Sequence, residues 1–226
     1  MSTFAVTGAS SGIGRATVAE LVRAGHQVWA TVRSGDDAEA LRAEYGEAVS
    51  PLRLDLTDEA SVRAAGEQVC AAGALHGLVN NAGVAQPGPL EYLPIEKFRH
   101  QIETSLTGQL LVTQVLLPAL RQAREDGEPA RIVMVGSISG RIAGPMLGAY
   151  HAAKFGLVGL TDSLRAELAP AGIGVVLIEP GAVATPIWQR GTAAADELIA
   201  ALPAGAARYS HQIAAIRAAA ERAAAH

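Results

Sequence analysis

Residues 4–22 read FAVTGASSGIGRATVAELV: an apolar run of strand length, a turn with three glycines, and at once a segment whose apolar positions recur at helical spacing. A strand that hands over to a helix through so short a turn cannot return as a hairpin. It must cross over the sheet and pair in parallel. The rest of the chain repeats the pattern. Apolar strand-like runs recur at FAVT (4–7), QVWATV (27–32), PLRLDL (51–56), HGLVN (76–80), RIVMVG (131–136) and GVVLIE (174–179). Helix-period stretches stand between them, among others at 13–24, 58–72, about 94–124 and 148–169. Such alternation predicts a doubly wound α/β fold, a parallel sheet of six strands with helices on both faces. No repeat or linker divides residues 1–226, so a single domain is expected. The stretch VAQPGPLEYLP (84–94) has the prolines and glycine of a loop. After Thr185 the rhythm stops, and residues 186–226 are expected to form a lid or a C-terminal helical segment, with Ile213 and Ile216 on a weak apolar side.

Composition narrows the function. The net charge is -4, and no cluster of Lys and Arg offers the phosphate neutralisation that nucleic acid requires. The longest apolar runs are strand-sized, well below the roughly 18 to 20 residues of a membrane span. The opening MSTFAVTGAS enters a strand directly and lacks a basic segment followed by an apolar core, so a cytoplasmic chain is the expectation. Cys70 is the only cysteine and reads as a small buried hydrophobe, and the six histidines show no ligand spacing, so no metal is expected.

In TGASSGIG (7–14), Gly8, Gly12 and Gly14 leave room for a tight turn, for a close backbone approach to a pyrophosphate and for packing of the helix on the strand. The helix that follows presents free N–H groups and the positive end of its dipole. The spacing Gly-x-x-x-Gly-x-Gly resembles that of the short-chain dehydrogenase/reductase family, whose sheet is Rossmann-like. The resemblance runs on through Asp55, NNAG (80–83), Ser137, Tyr150, Lys154 and PGAVATP (180–186), in order and over almost the whole chain. The stretches VWATVR, GRIAGPMLGAY and IEPGAVATPIW look most like the branch with hydroxysteroid and retinol dehydrogenases.

The resemblance implies a nicotinamide dinucleotide, with Ser10, Ser11 and Ile13 joining the three glycines around its phosphates. The second strand leads into WATVRSGDD, with Val32 where the family often carries an acidic residue, and Arg33 next. An arginine there pairs with a 2'-phosphate, which favours NADP over NAD. Arg33 also reads as a solvated loop charge, and Asp36 or Asp37 could reach the ribose instead. By resemblance, Asp55 and Leu56 lie at the adenine, and Asn81, Ala82 and Gly83 border the adenosine ribose. Asn80 and Asn81 also suit a role in capping the strand and tying neighbouring strands together, Asn80 as readily as any other. Pro180, Gly181, Val183 and Thr185 are implied nicotinamide contacts, though Pro-Gly after a strand is also a plain turn.

Tyr150 and Lys154 stand four residues apart, which on a helix stacks them on one face. An ammonium beside a phenol lowers its pKa from about 10 and makes Tyr150 an acid or base for an alcohol or carbonyl. Lys154 is expected to bond the nicotinamide ribose as well. Ser137 would hold the substrate oxygen, or else cap a turn, as Ser139 also could. His151 points about 100 degrees away from Tyr150 and is left outside the site. Ser105 stands where the family usually carries an asparagine that holds a water behind the lysine. It is a candidate relay member, with helix packing as its other reading. The segments 84–94, 140–149 and beyond Thr185 are mostly apolar, which suggests a small hydrophobic alcohol or carbonyl substrate. A cofactor-binding regulatory protein with little turnover is the alternative. The resemblance further implies a homo-oligomer, dimer or tetramer, built on the helices at 94–124 and 148–169. It also implies a sheet that stops one strand short of the family's usual seven, leaving an edge exposed.

Overall fold

β1 (Thr3–Val6) lies at the centre of a sheet completed by β2 (Gln27–Val32), β3 (Val49–Arg53), β4 (Gly77–Asn80), β5 (Ala130–Val135) and β6 (Ile173–Ile178). The computed structural model describes residues 1–225. All pairings are parallel, in the order β3-β2-β1-β4-β5-β6. Phe4 pairs with Val28 on one side and with Gly77 on the other. The strand order therefore reverses between β1 and β4, and the crevice at their carboxyl ends is where folds of this type bind ligands.

Helices α1 (Gly12–Arg23) and α2 (Gly35–Tyr45) cover one face of the sheet. There Val6, Val18, Val28 and Leu41 form a buried layer. On the other face pack α3 (Glu59–Ala71), α5 (Gly108–Glu125) and α6 (Gly148–Leu168), where Leu78, Leu120, Ile132 and Leu157 are fully buried. Each such side chain contributes about 1.5–3 kcal/mol through burial. Helix α4 (Ile95–Ile102) runs into α5 through a π-helical turn, Glu103–Thr107. The chain closes with α7 (Pro186–Ala200), a 3-10 segment at Ala204–Tyr209, and α8 (Ser210–Ala225).

Two local expectations are corrected, at β3 and in the long helix at 94–124, while helix α2 stands where the alternation calls for a helix although Leu41 is its only buried residue. It is held at its start, where the Ser34 side chain accepts from the Asp37 N–H and Asp36 and Asp37 sit at the positive dipole end. β3 ends at Arg53, so Asp55 and Leu56 lie beyond the strand. The Asp55 carboxylate turns the chain there by accepting from the Thr57 N–H (2.9 Å) and hydroxyl (2.8 Å). The long helix at 94–124 carries the π turn inside it, and a π turn is a frequent mark of functional positions. Among the described residues no helix is long and apolar enough to cross a membrane.

Candidate active site

A cavity of about 340 Å³ opens at the carboxyl edge of the sheet, between the ends of β1 and β4. Gly8, Ser10, Ser11, Gly12 and Ile13 form its floor at the start of α1. Gly8 has φ +67° and Gly12 φ +54°, which side-chain-bearing residues rarely adopt. Gly14 lies underneath and outside the lining: a Cβ there would stand 2.3 Å from the Gly8 carbonyl oxygen and 2.5 Å from Asn81 Nδ2. Helix and strand can therefore meet at this point only through a glycine.

Asn81, Ala82 and Gly83 line the cavity beyond β4. The Asn81 amide donates to the carbonyl of Thr7 (2.9 Å), and the Thr7 hydroxyl accepts from the N–H groups of Asn81 (2.9 Å) and Ala82 (3.0 Å). Asn80, fully buried, donates to the Thr113 hydroxyl at 2.8 Å. Both asparagines thus tie elements together, as their architectural reading expects. At the far end stand Arg33, Asp55 and Leu56, with His100 and Thr104 from α4 and the π turn. Asp55 is held below the usual carboxylate range, chiefly by the Thr57 N–H, with the charges of Arg33 and His100 adding to it. Asp36 and Asp37 are not among the lining residues, since they begin α2. Pro180, Gly181, Val183 and Thr185 line the opposite wall, with Thr185 packed over Gly12.

Ser137, Tyr150 and Lys154 meet in the same cavity. β5 delivers Ser137 at its end, and α6 carries the other two. The Lys154 Nζ donates to the Val135 carbonyl at 2.8 Å and stands 5.8 Å from the centroid of the Tyr150 ring. Burial pushes Lys154 down to about 8. Burial also pushes the Tyr150 phenol above its ordinary value, and the neighbouring Ser137 hydroxyl opposes this only in part. The expectation of a phenol lowered by the ammonium is thus reversed, because loss of solvent dominates. The Ser137 oxygen accepts from the Ser139 N–H (3.1 Å), which orients the serine and leaves its own proton for an acceptor in the cavity.

Ser105 is fully buried in the π turn and does not line the cavity. Its hydroxyl accepts from the Gln101 side-chain amide (2.8 Å) and the Val84 N–H (3.3 Å). Gln101 also donates to the Val84 carbonyl (2.8 Å) and accepts from the Gln86 N–H (2.9 Å). Two side chains one helical turn apart therefore bolt down the wall at 84–86. On the other side His151 accepts from the Gly144 N–H at Nε2 (3.1 Å) and has Nδ1 3.1 Å from the Ser139 carbonyl. Through these two contacts His151 pins the loop that follows Ser137.

Residues 2–196 match the family model described as short chain dehydrogenase. The chain belongs to the short-chain dehydrogenase family. It is 40% identical over 199 residues to 3-amino-tetrahydro-pyrrolizinone reductase of Xenorhabdus hominickii, covering 86% of this chain and 66% of that protein. It is 38% identical over 186 residues to NADPH-dependent 3-dehydrocapnine reductase of Ornithobacterium rhinotracheale, covering 81% and 66%. The crystal structure of 3-ketoacyl-(acyl-carrier-protein) reductase from Brucella melitensis complexed with NADH superposes with a TM-score of 0.79 at 32% identity, over 84% of this chain and 78% of that one. The chain thus spans about two thirds of the length of the two curated relatives.

Several residues that line or support the site carry no signal of their own in the sequence. Gln101 was legible only as a residue one turn before Ser105, on the same helical face. His151 does point away from Tyr150, as its position on the helix requires, but it points into the loop that shapes the site. Gln86 and Arg190 carry no motif, and only the packing of α7 across the 84–94 loop brings both to the cavity.

Proposed function

We propose that the chain is an NADP-dependent oxidoreductase that interconverts an alcohol and a carbonyl, with Tyr150 as the acid or base. The observation that carries this reading is the convergence of Ser137, Tyr150 and Lys154 on a cavity floored by the glycine turn. The cavity suits a dinucleotide: its floor has no side chains at Gly8 and Gly12, and the buried Thr104 hydroxyl at the far end lacks a hydrogen-bond partner among the described residues. When bound, a nicotinamide cofactor supplies or accepts a hydride at the reacting carbon. Gly8, Ser10, Ser11, Gly12 and Ile13 would hold its phosphates at the start of α1. Asp55, Leu56, Asn81, Ala82 and Gly83 would border its adenosine half, and Pro180, Gly181, Val183 and Thr185 its nicotinamide half.

Tyr150, with its phenol raised by burial, is protonated at neutral pH and therefore suited to donate a proton to a carbonyl oxygen. Ser137 donates a hydrogen bond to the same oxygen and so fixes it within reach of the phenol. Lys154 is an ammonium below about pH 8, anchored to β5 through Val135, and holds positive charge behind the tyrosine. Ser105, through Gln101 and Val84, steadies the wall facing this group. NADP is favoured over NAD because Arg33 lines the cavity and has no ion-pair partner among the described residues, and one relative is NADPH-dependent. A homo-oligomer joined through α4, α5 and α6 would cover Phe155, an exposed aromatic on α6. Cytoplasmic location remains part of the same reading.

The test is loss of reduced-nicotinamide absorbance with a panel of aldehydes, ketones, steroids and quinones, using NADPH and NADH in parallel. Turnover with NADPH preferred is expected. Cofactor binding with no turnover on any member would point instead to a cofactor-sensing role. Arg33→Ala is expected to weaken NADPH binding much more than NADH binding, and equal losses would show that Arg33 does not read the 2'-phosphate.

A further inference from the structure

The substrate end of the cavity is not uniformly apolar. α7 lies across the loop after β4: a Cβ on Gly191 would stand 3.6 Å from both the Cβ and the carbonyl oxygen of Ala85, and 3.7 Å from Pro87 Cγ. Arg190 precedes that glycine, and Gln86 sits between those two contacts. Both line the cavity that holds Ser137 and Tyr150. Both residues thus line the cavity and flank, in sequence, a point of direct packing between α7 and the loop.

Neither is used by the fold. Gln86 Nε2 is a buried donor with no acceptor among the described residues, although the Gln86 backbone is pinned by Gln101 (2.9 Å). A buried amide donor of this kind calls for a partner. Arg190 has no carboxylate partner among the described residues. The acidic residues of its own helix are engaged elsewhere, Asp196 with Arg217 and Glu197 with Lys97 at 3.9 Å. Arg190 is exposed at the cavity, and the neighbouring lining from Ala85, Ile187, Trp188 and Ala194 is apolar in its side-chain bulk.

We propose that Arg190 and Gln86 form a carboxylate subsite, so that the substrate is an oxo or hydroxy acid with an apolar body. The planar fork of a guanidinium matches the two oxygens of a carboxylate, and an amide N–H supplies a further donor. The chemistry alone would equally suit a phosphate of the cofactor. The position argues for the substrate: α7 starts against the floor, with Pro186 beside Gly12, and runs outward to meet the loop at Ala85 and Pro87, so Arg190 stands about one helical turn beyond the floor that suits phosphates. The inference rests on the oxidoreductase reading and narrows its hydrophobic substrate to one with an acid group.

The test compares medium-chain γ- and δ-oxo fatty acids with their methyl esters as substrates for reduction by NADPH. The expected result is a kcat/KM for the acids about tenfold or more above that for the esters. Arg190→Met should bring that ratio to about one, Arg190→Lys should retain part of it, and Gln86→Leu should reduce it by a smaller factor. The Kd for NADPH should stay within about twofold in all three variants. Thermal stabilisation of the NADP-bound protein by each acid, and not by its ester, gives a second readout that does not depend on turnover.

Equal handling of acid and ester by the wild type, in turnover and in stabilisation, overturns the subsite while leaving the oxidoreductase reading intact. So does a loss of NADPH affinity in Arg190→Met with an unchanged acid-to-ester ratio, which would assign the guanidinium to the cofactor. Stabilisation by the acids without turnover of any carbonyl would support the subsite and overturn the oxidoreductase reading.

Discussion

Lys154→Met isolates a cost that the site imposes on the fold. The lysine is buried, and its ammonium is pushed from 10.5 down to about 8. Below about pH 8 the folded and unfolded chains both carry the proton, and the whole cost of burying the charge is present. Between about 8 and 10.5 the unfolded chain still holds a proton that the folded chain has lost, so the contribution of this residue to stability rises with pH. At about 1.4 kcal/mol per pH unit the gap amounts to about 3 kcal/mol at full extent. Methionine has a similar unbranched shape and no charge. Its loss of the hydrogen bond to Val135 is a constant offset that leaves the slope untouched. Equilibrium urea unfolding of both proteins, without cofactor, from about pH 7 to about pH 10 reads the difference directly. Tyr150, raised by burial, and Cys70 are common to both chains. The stability of the wild type relative to Lys154→Met should be level up to about pH 8 and then climb by up to about 1.4 kcal/mol per pH unit. A flat difference across the range, or a fall, would refute the argument that Lys154 is held as a costly buried cation.

Two further outcomes test the scaffold. Gly14→Ala must displace backbone, since its Cβ would meet the Gly8 carbonyl oxygen at 2.3 Å, and is expected to destabilise by about 2 kcal/mol or more in chemical denaturation and to abolish cofactor binding. Gly35→Ala, with nothing within 4 Å of a Cβ, should change stability by less than about 0.5 kcal/mol and serves as the control. At the wall of the site, Gln101→Leu should lower kcat/KM by about tenfold or more and raise KM, because three hydrogen bonds to residues 84–86 and Ser105 are lost. Ser105→Ala should follow it in the same direction with a smaller effect, and Ser105→Asn should shift the pH profile of turnover if the hydroxyl also serves a proton path.

Much of the fold was legible because the parallel strands are buried on both faces, and runs such as QVWATV and RIVMVG can be little else. α2 was legible from the alternation and not from its own pattern: with Leu41 alone buried it has almost no apolar stripe, and its start is written in Ser34 and two aspartates. PLRLDL overran its strand because Leu54 and Leu56 are buried by the turn after β3, which apolar spacing cannot distinguish from the strand itself.

The chemistry-bearing residues were legible where a motif ties type to spacing, as with Tyr150 and Lys154. Their electrostatics were not. Sequence distance suggested an ammonium acting on a phenol, whereas the balance is set by burial of both groups. Ser105 was legible as an unusual residue at a meaningful position, but its partner Gln101 and the backbone it holds appear only once the π turn and the 84–86 wall are packed together.

The central claim, that Tyr150 moves a proton during hydride transfer, is tested most directly by comparing the wild type with Tyr150→Phe in single-turnover reduction of a carbonyl by NADPH. A fall of about 10²- to 10⁴-fold in the rate of the chemical step, with NADPH affinity unchanged, is the predicted result. A Tyr150→Phe protein that reduces the carbonyl as fast as the wild type would contradict it.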